Sequence, residues 1–274
     1  MKQLIKNILI IYFLFTAPLL CAEEISKAFM QEHEDGGFVY IDKKTSVQRS
    51  KSSFSTERIL QDNRITYKYA AHGEGDYDEY KNTAFDIEAV MEEKDGLLYP
   101  VYSLNSIKNK DGSPVVRHEK NFDYAKQKIY YTISNAEGIA IKNIVFPMKG
   151  LTVDGPTMIH FLKTFAAHHA ENPYKTFYLI SDKGQLYRIN LKDMGIETLE
   201  LPAGKIKAIK LRLIPELGLL TGIAKSLIPP TFVWYADQEP YEWLQYEGLE
   251  TGVGSAYVII RKFTKLTLSK YEFI

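Results

Sequence analysis

Cysteine is almost absent from this chain: Cys21 is the only one in 274 residues. No disulfide can form within the chain, and its stability has to come from burial. Charge of one sign is missing as well. The 34 basic and 34 acidic side chains cancel, so no net field argues for nucleic acid, and none is expected as a partner. Beyond residue 20 no apolar run approaches the roughly 20 residues that a membrane span needs. The patterns that announce chemistry are lacking too. None of the six histidines forms an i, i+4 pair, the HExxH pattern does not occur, and neither Gly-rich segment matches a phosphate-binding loop. The sequence therefore implies no metal and no cofactor, and it leaves any catalytic residue unknown.

The N-terminus carries the clearest signal. Lys2 and Lys6 form a basic region, Asn7 to Leu20 is almost wholly apolar, and Glu23-Glu24 opens a polar chain. This reads as an export signal peptide over residues 1–22. Two processing schemes compete, because Leu20-Cys21-Ala22 can end a conventional signal while Cys21 could carry the lipid of a lipoprotein. Cleavage after Ala22 is preferred, since a lipobox normally places a small residue before its cysteine and here Leu19-Leu20 precede it. Removing residues 1–22 takes away Lys2 and Lys6, leaving 32 basic against 34 acidic side chains. The expected product is a periplasmic protein with no transmembrane span.

Residues 23–274 read as a single β-rich domain. Short β-branched and aromatic runs recur at Phe38–Ile41, Ile65–Tyr69, Phe85–Met91, Leu98–Leu104, Val115–Glu119 and Ile129–Ile133, separated by turn signals such as Lys94-Asp95-Gly96 and Lys110-Asp111-Gly112. Asp154-Gly155-Pro156 breaks this pattern. Asp or Gly can cap a helix and Pro suits its first turn, after which Met158, Phe161, Leu162 and Phe165 keep the i, i+3, i+4, i+7 spacing. The reading predicts one helix over about 156–169, with His160 nearly opposite the apolar stripe and at the surface. Strand signals resume at Thr176–Ser181, Gln185–Leu191, Ile206–Leu213, Phe232–Ala236, Tyr241–Tyr246 and Ala256–Ile260. Leu217–Pro230 is ambiguous, with helical spacing interrupted by Gly218 and Gly222. The fold class expected is mainly β: a curved antiparallel sheet or incomplete barrel with the helix packed against it.

Two segments bear on function. If Asp237–Pro240 is a four-residue hairpin loop, Trp234 faces Trp243 and the two rings lie side by side on one face. Nearby, Asp237, Glu239, Glu242, Glu247 and Glu250 supply carboxylates, and two at the right separation could act as acid and base in hydrolysis. Gly252-Val253-Gly254-Ser255-Ala256 resembles a nucleophile elbow only in composition, and its glycines suit a bend before the last strand.

The Tyr77–Tyr80 and Phe85 segment, Leu98-Tyr99-Pro100-Val101-Tyr102, Lys210-Leu211-Arg212-Leu213, Thr231-Phe232-Val233-Trp234-Tyr235 with Pro240, and Tyr246-Glu247-Gly248 together carry a resemblance. The chain resembles a bacterial family of exported proteins of unknown function over most of residues 35–265. The resemblance implies a β-rich periplasmic domain, similar to the half-barrels of lipoprotein-localisation carriers, with a terminal hairpin built on the Trp strand. Its motifs are structural and carry over no catalytic residue.

Three functional readings follow. The first is a non-catalytic envelope protein that binds a lipid or other apolar or amphipathic small molecule between sheet and helix, with Phe161, Leu162, Phe165, Trp234 and Trp243 lining the site. The second is an envelope protein-interaction or structural module that uses a strand edge or the Leu217–Ile228 patch. The third is a hydrolase built on the C-terminal carboxylates.

Overall fold

The computed structural model describes residues 31–62, 64–169, 176–202, 204–216 and 229–263. The signal segment, Cys21 and the Leu217–Ile228 patch lie outside the described residues. Among the described residues no helix is long and apolar enough to cross a membrane.

The first eight strands are β1 (His33–Asp42), β2 (Gln48–Gln61), β3 (Arg64–Tyr77), β4 (Tyr80–Lys94), β5 (Leu97–Lys108), β6 (Pro114–Asp123), β7 (Lys128–Ser134) and β8 (Ala140–Pro147). They run as an antiparallel meander. After β9 (Thr152–Asp154) and the helix α1 (Gly155–Ala167) come β10 (Thr176–Ile180), β11 (Leu186–Leu201), β12 (Gly204–Glu216), β13 (Thr231–Ala236), β14 (Trp243–Leu249) and β15 (Tyr257–Lys262). All fifteen strands belong to one sheet, in the order β8-β7-β6-β5-β4-β3-β2-β1-β15-β14-β13-β12-β11-β10-β9. The expected mainly β fold with one helix is the fold observed. One pairing departs from the antiparallel pattern: β9 and β10 are parallel. A parallel pair needs a crossover, and α1 is that crossover.

The order of strands dictates the curl. Strands β8 and β9 are the two edges of the sheet, and fifteen flat strands would hold them about 67 Å apart. Yet only residues 148–151 connect Pro147 to Thr152, a reach of roughly 17 Å. The sheet must roll until its ends meet. They meet face to face rather than edge to edge: Ile180 of β10 packs with Phe122 of β6 and Ile129 of β7, and Asp154 at the end of β9 is bonded by Ser103 of β5. The two ends overlap and the barrel stays open.

Rolling encloses α1. Asp154 caps it, accepting from Thr157 N at 3.3 Å and from Thr157 Oγ1 at 2.7 Å, while Asp154 N donates back to that hydroxyl at 3.1 Å. This reciprocal box satisfies the first-turn amides, and Pro156 removes one donor that needs no partner. The helix ends two residues earlier than its sequence pattern predicts, with His168 as C-cap. Phe161, Leu162, Phe165 and Ala166 are at most 1% exposed. Phe161 meets Phe165 and Phe177 at centroid distances of 5.1 and 5.5 Å.

The polar side of α1 is buried as well, which corrects the surface position expected for His160. Its ring stands against Tyr69 at 4.9 Å and is 5% exposed, because the curled sheet covers both faces of the helix. Lys163, one turn on, is buried too and needs a counter-charge. Its Nζ lies 3.1 Å from Glu34 of β1, while Lys262 of β15 lies 3.7 Å from Glu34 and 3.0 Å from Glu242. Two cations and two anions thus neutralise one another inside, where an unpaired charge would be costly. Tyr235 of β13 adds a hydrogen bond to the Ile159 carbonyl at 2.6 Å.

Two predictions follow from this enclosure. Phe161→Ala should lower the unfolding free energy by about 3–5 kcal/mol in urea titration, whereas a loss under about 1 kcal/mol would place the helix at the surface. The second concerns acid. Burial alone would raise the Glu34 carboxyl, but Lys163 and Lys262 overcome it and hold it at about 2, below its ordinary 4.5. Burial, helped by Lys163, pushes His160 down from 6.5 to about 4. Both folded pKa values are depressed, so the unfolded chain binds more protons and stability falls as the pH falls. His160 should act between pH 6.5 and about 4, and Glu34 between 4.5 and about 2, each with a slope of at most about 1.4 kcal/mol per pH unit. Unfolding free energies measured across pH should show His160→Gln flattening the upper window and Glu34→Gln the lower one.

Candidate functional site

Residues from α1 and most of the sheet surround a cavity of about 180 Å³ between the N-terminal half of the helix and the concave face. Strand alternation builds its wall, because every second side chain points inward. Phe38 and Tyr40 come from β1, Tyr69 and Tyr77 from β3, Ile189 from β11, Leu213 from β12, and Trp243 and Tyr246 from β14, with Met158 and Ile159 from α1. The lining includes Trp243, Tyr246 and Leu249 of β14 and Glu250 just past its end. Val253, 45% exposed, stands at the solvent side. An apolar cavity of this size matches those known to take up a small hydrophobic molecule.

The two tryptophans do not share a face. In place of the expected pairing with Trp243, Trp234 is opposite Gln245 and Tyr235 is opposite Trp243, with a register shift between Trp234 and Tyr235. The turn is longer than a four-residue loop, since Ala236 N bonds to Glu242 O at 2.8 Å. One residue of slip moves a side chain to the opposite face. Trp243 therefore enters the lumen and meets Phe38 at 4.3 Å. Trp234 joins Leu199, Leu201, Ile206 and Leu244 in a separate cluster, its Nε1 donating to Glu197 at 2.7 Å. Of the five lining residues expected from sequence, Trp243 borders the cavity. Phe161, Leu162 and Phe165 are core residues of α1, and Trp234 faces away.

One part of the cavity wall is polar, and sequence reasoning did not find its construction. Asp182, Glu250 and Thr251 line it. Asp182 is taken up by Lys120 at 2.7 Å and by Asn105 at 3.0 Å. Burial works against its ionisation, but Lys120 and these hydrogen bonds keep its pKa below the ordinary value. Lys120, which also lies 3.3 Å from Asp154, has its own pKa raised: burial opposes the charge, and Asp182 and Asp154 outweigh burial. This buried trio clasps β6 to β9 and to the β10–β11 turn.

Glu250 accepts through Oε2 alone, from Arg49 Nη2 at 3.1 Å and Asp78 N at 2.7 Å. Its Oε1 and the Thr251 Oγ1 are buried without a hydrogen-bond partner. Burial raises the Glu250 pKa above 4.5 despite Arg49. The other C-terminal carboxylates point elsewhere: Glu242 pairs with Lys262, and Glu247 with Lys43 and Tyr257. Of Asp237, Glu239, Glu242, Glu247 and Glu250, Glu250 alone lines the cavity. Ser255 is a turn residue, donating to Gly252 O at 2.8 Å and accepting from Thr251 N at 3.1 Å. Gly252 adopts φ +131°, and an added Cβ would come within 3.0 Å of Ser181. The glycines serve the bend that the sequence suggested. Among the described residues no group of three or more His, Cys, Asp or Glu is placed to hold a metal.

No protein-family model and no curated protein matches the chain. Among solved structures, it is similar to a β-barrel-like protein of domain of unknown function DUF1849 from Brucella abortus, at 11% identity and a TM-score of 0.48, over 87% of this chain and 98% of that one. It is also similar to a putative lipoprotein from Parabacteroides distasonis, at 6% identity and a TM-score of 0.32, over 87% of this chain and 96% of that one.

Proposed function

We propose that this is a non-catalytic protein of the bacterial envelope, exported to the periplasm by its N-terminal signal, that binds an apolar or amphipathic small molecule inside the curled sheet. The observation that carries this reading is the cavity of about 180 Å³ bordered by Phe38, Tyr69, Met158, Trp243 and Tyr246. A cavity destabilises the fold that contains it, and a ligand that fills it recovers the lost contacts. The two carboxylates on its wall are each taken up by the protein, Asp182 by Lys120 and Asn105 and Glu250 by Arg49 and the Asp78 amide. Trp243 is the sequence-expected residue best placed to touch the ligand, with Phe161, Leu162 and Phe165 holding the helix that forms its inner wall.

A second reading, an envelope protein-interaction module, is favoured by one edge of the sheet. Ile139, Ile141 and Val145, on and just before edge strand β8, are 60, 63 and 53% exposed. Exposed apolar edges invite pairing with another chain.

The test of the first reading is native mass spectrometry of the protein purified gently from a periplasmic extract, followed by solvent extraction. The expected result is one apolar adduct per chain. Leu179→Trp, which fills the cavity from β10, should remove that adduct while changing stability by no more than about 1–3 kcal/mol. An unliganded mass for the natural chain, joined to no uptake of added small apolar or amphipathic molecules, would overturn the reading. Photocrosslinking from position 141 in intact cells would then test the edge of β8.

A further inference from the structure

Five tyrosines line the cavity, and four of them have polar company within the wall. Tyr77 accepts from Asn105 at 3.0 Å, Tyr246 donates to the Leu249 carbonyl at 2.8 Å, Tyr187 is bonded to Gln185, and Tyr40 has Ser52 beside it. Tyr69 is different. Its contacts are ring against ring, with Phe54 at 6.1 Å and His160 at 4.9 Å, and among the described residues its hydroxyl has no hydrogen-bond partner, although the residue is only 6% exposed. Nor is this hydroxyl sealed inside the wall, as the unpartnered Thr56 Oγ1, His160 Nε2 and Trp243 Nε1 are. An unsealed hydroxyl on a lining residue opens onto the cavity, and a hydroxyl left unpartnered in the interior calls for a partner that enters from outside the chain. Burial, reinforced by Tyr40 and Glu34, raises its pKa above the ordinary 10. It keeps its proton and can donate or accept.

Size limits what can meet that hydroxyl. An apolar cavity of about 150 Å³ takes up one benzene molecule, so this one of about 180 Å³ has room for one such ring and about one further non-hydrogen atom. Phe38, Tyr77, Trp243 and Tyr246 present aromatic surfaces to it. These favour a flat ring, which packs against them offset or edge to face and has no rotors to freeze. From this geometry we infer that the cavity selects a neutral single-ring aromatic molecule with one hydrogen-bonding substituent, phenol being the smallest, and that the substituent bonds to the Tyr69 hydroxyl. The inference rests on the ligand-binding reading above and adds the class of ligand. A carboxylate on the ring is disfavoured, because it would carry a charge into an apolar site where Glu34 is already felt at Tyr69 and like charges repel strongly.

The experiment is isothermal titration of the purified protein with phenol, toluene, hexanol and benzoate. Phenol, toluene and hexanol have the same number of non-hydrogen atoms, so size does not separate them. Phenol and toluene should bind, hexanol should bind several-fold more weakly than phenol, and benzoate should not bind. Leu179→Trp should abolish binding of phenol and toluene together, which places the site in the cavity. Tyr69→Phe should weaken phenol about five-fold, the loss expected for one hydrogen bond, and leave toluene unchanged. Because the hydroxyl it removes has no partner in the protein, this variant should keep its Tm. An equal effect on phenol and toluene, or none on either, would overturn the role of Tyr69 and leave the cavity reading standing. Toluene binding to the natural chain while phenol is excluded would overturn it without any variant. Hexanol or benzoate binding as tightly as phenol would overturn the ligand class. Failure of all four probes would overturn the inference, and joined to an unliganded native mass it would overturn the ligand-binding reading as well.

Discussion

The concave face of a rolled sheet has to be covered, and in this protein one helix covers it. Phe161, Leu162 and Phe165 supply the apolar cover that the sequence pattern promised. Enclosure has a cost, because a thirteen-residue helix has a polar side that would ordinarily face water. Inside the lumen each polar group on that side needs a partner. Glu34 answers Lys163, Glu242 and Glu34 answer Lys262, and Tyr235 adds a bond to the helix backbone. The buried ion cluster is thus a consequence of placing α1 within the curl. Such clusters add little net stability over well-packed apolar groups, but removing one member is strongly destabilising.

A second consequence concerns the open seam. Strands β8 and β9 follow one another in sequence yet form opposite edges of the sheet, so the chain has to overlap itself. Asp154 joins these two requirements in one residue. It caps α1, accepts from Ser103 and forms an ion pair with Lys120, tying the start of the helix to the far wall of the sheet. Lys120 then continues to Asp182 at the β10–β11 turn, in the polar part of the cavity wall. The residues that close the fold and those that form this part of the wall are neighbours, so it is held by the same bonds that hold the seam.

Much of this architecture was legible in the sequence. Strands with β-branched and aromatic alternation, such as Phe85–Met91 in β4, and the helix announced by Asp154-Gly155-Pro156 are where the pattern puts them. Strand β2 was not legible, because its inward face is Ser50, Ser52, Phe54 and Thr56. It alternates in size and hydrogen-bonding character rather than in hydropathy, as suits a wall facing aromatic rings. Strand β8 was hidden for the opposite reason: Ile141 and Val145 lie exposed at the edge and give no periodic signal of burial. The face of Trp234 was misjudged because a register shift inside a short hairpin leaves no mark in residue types. The polar part of the cavity wall could not be foreseen, since Arg49, Asp78 and Glu250 are separated by up to 201 positions and meet only when β1 and β15 pair.

All of these features depend on α1 being an inseparable part of the folded sheet. Native-state hydrogen exchange across a urea series tests this most directly. The account predicts that amides from Phe161 to Ala166 exchange only through global unfolding, with the same free energy and urea dependence as those of β1 and β13. Exchange of the α1 amides at a lower free energy, independent of urea, would show a helix that leaves the lumen while the sheet persists, and would contradict the account.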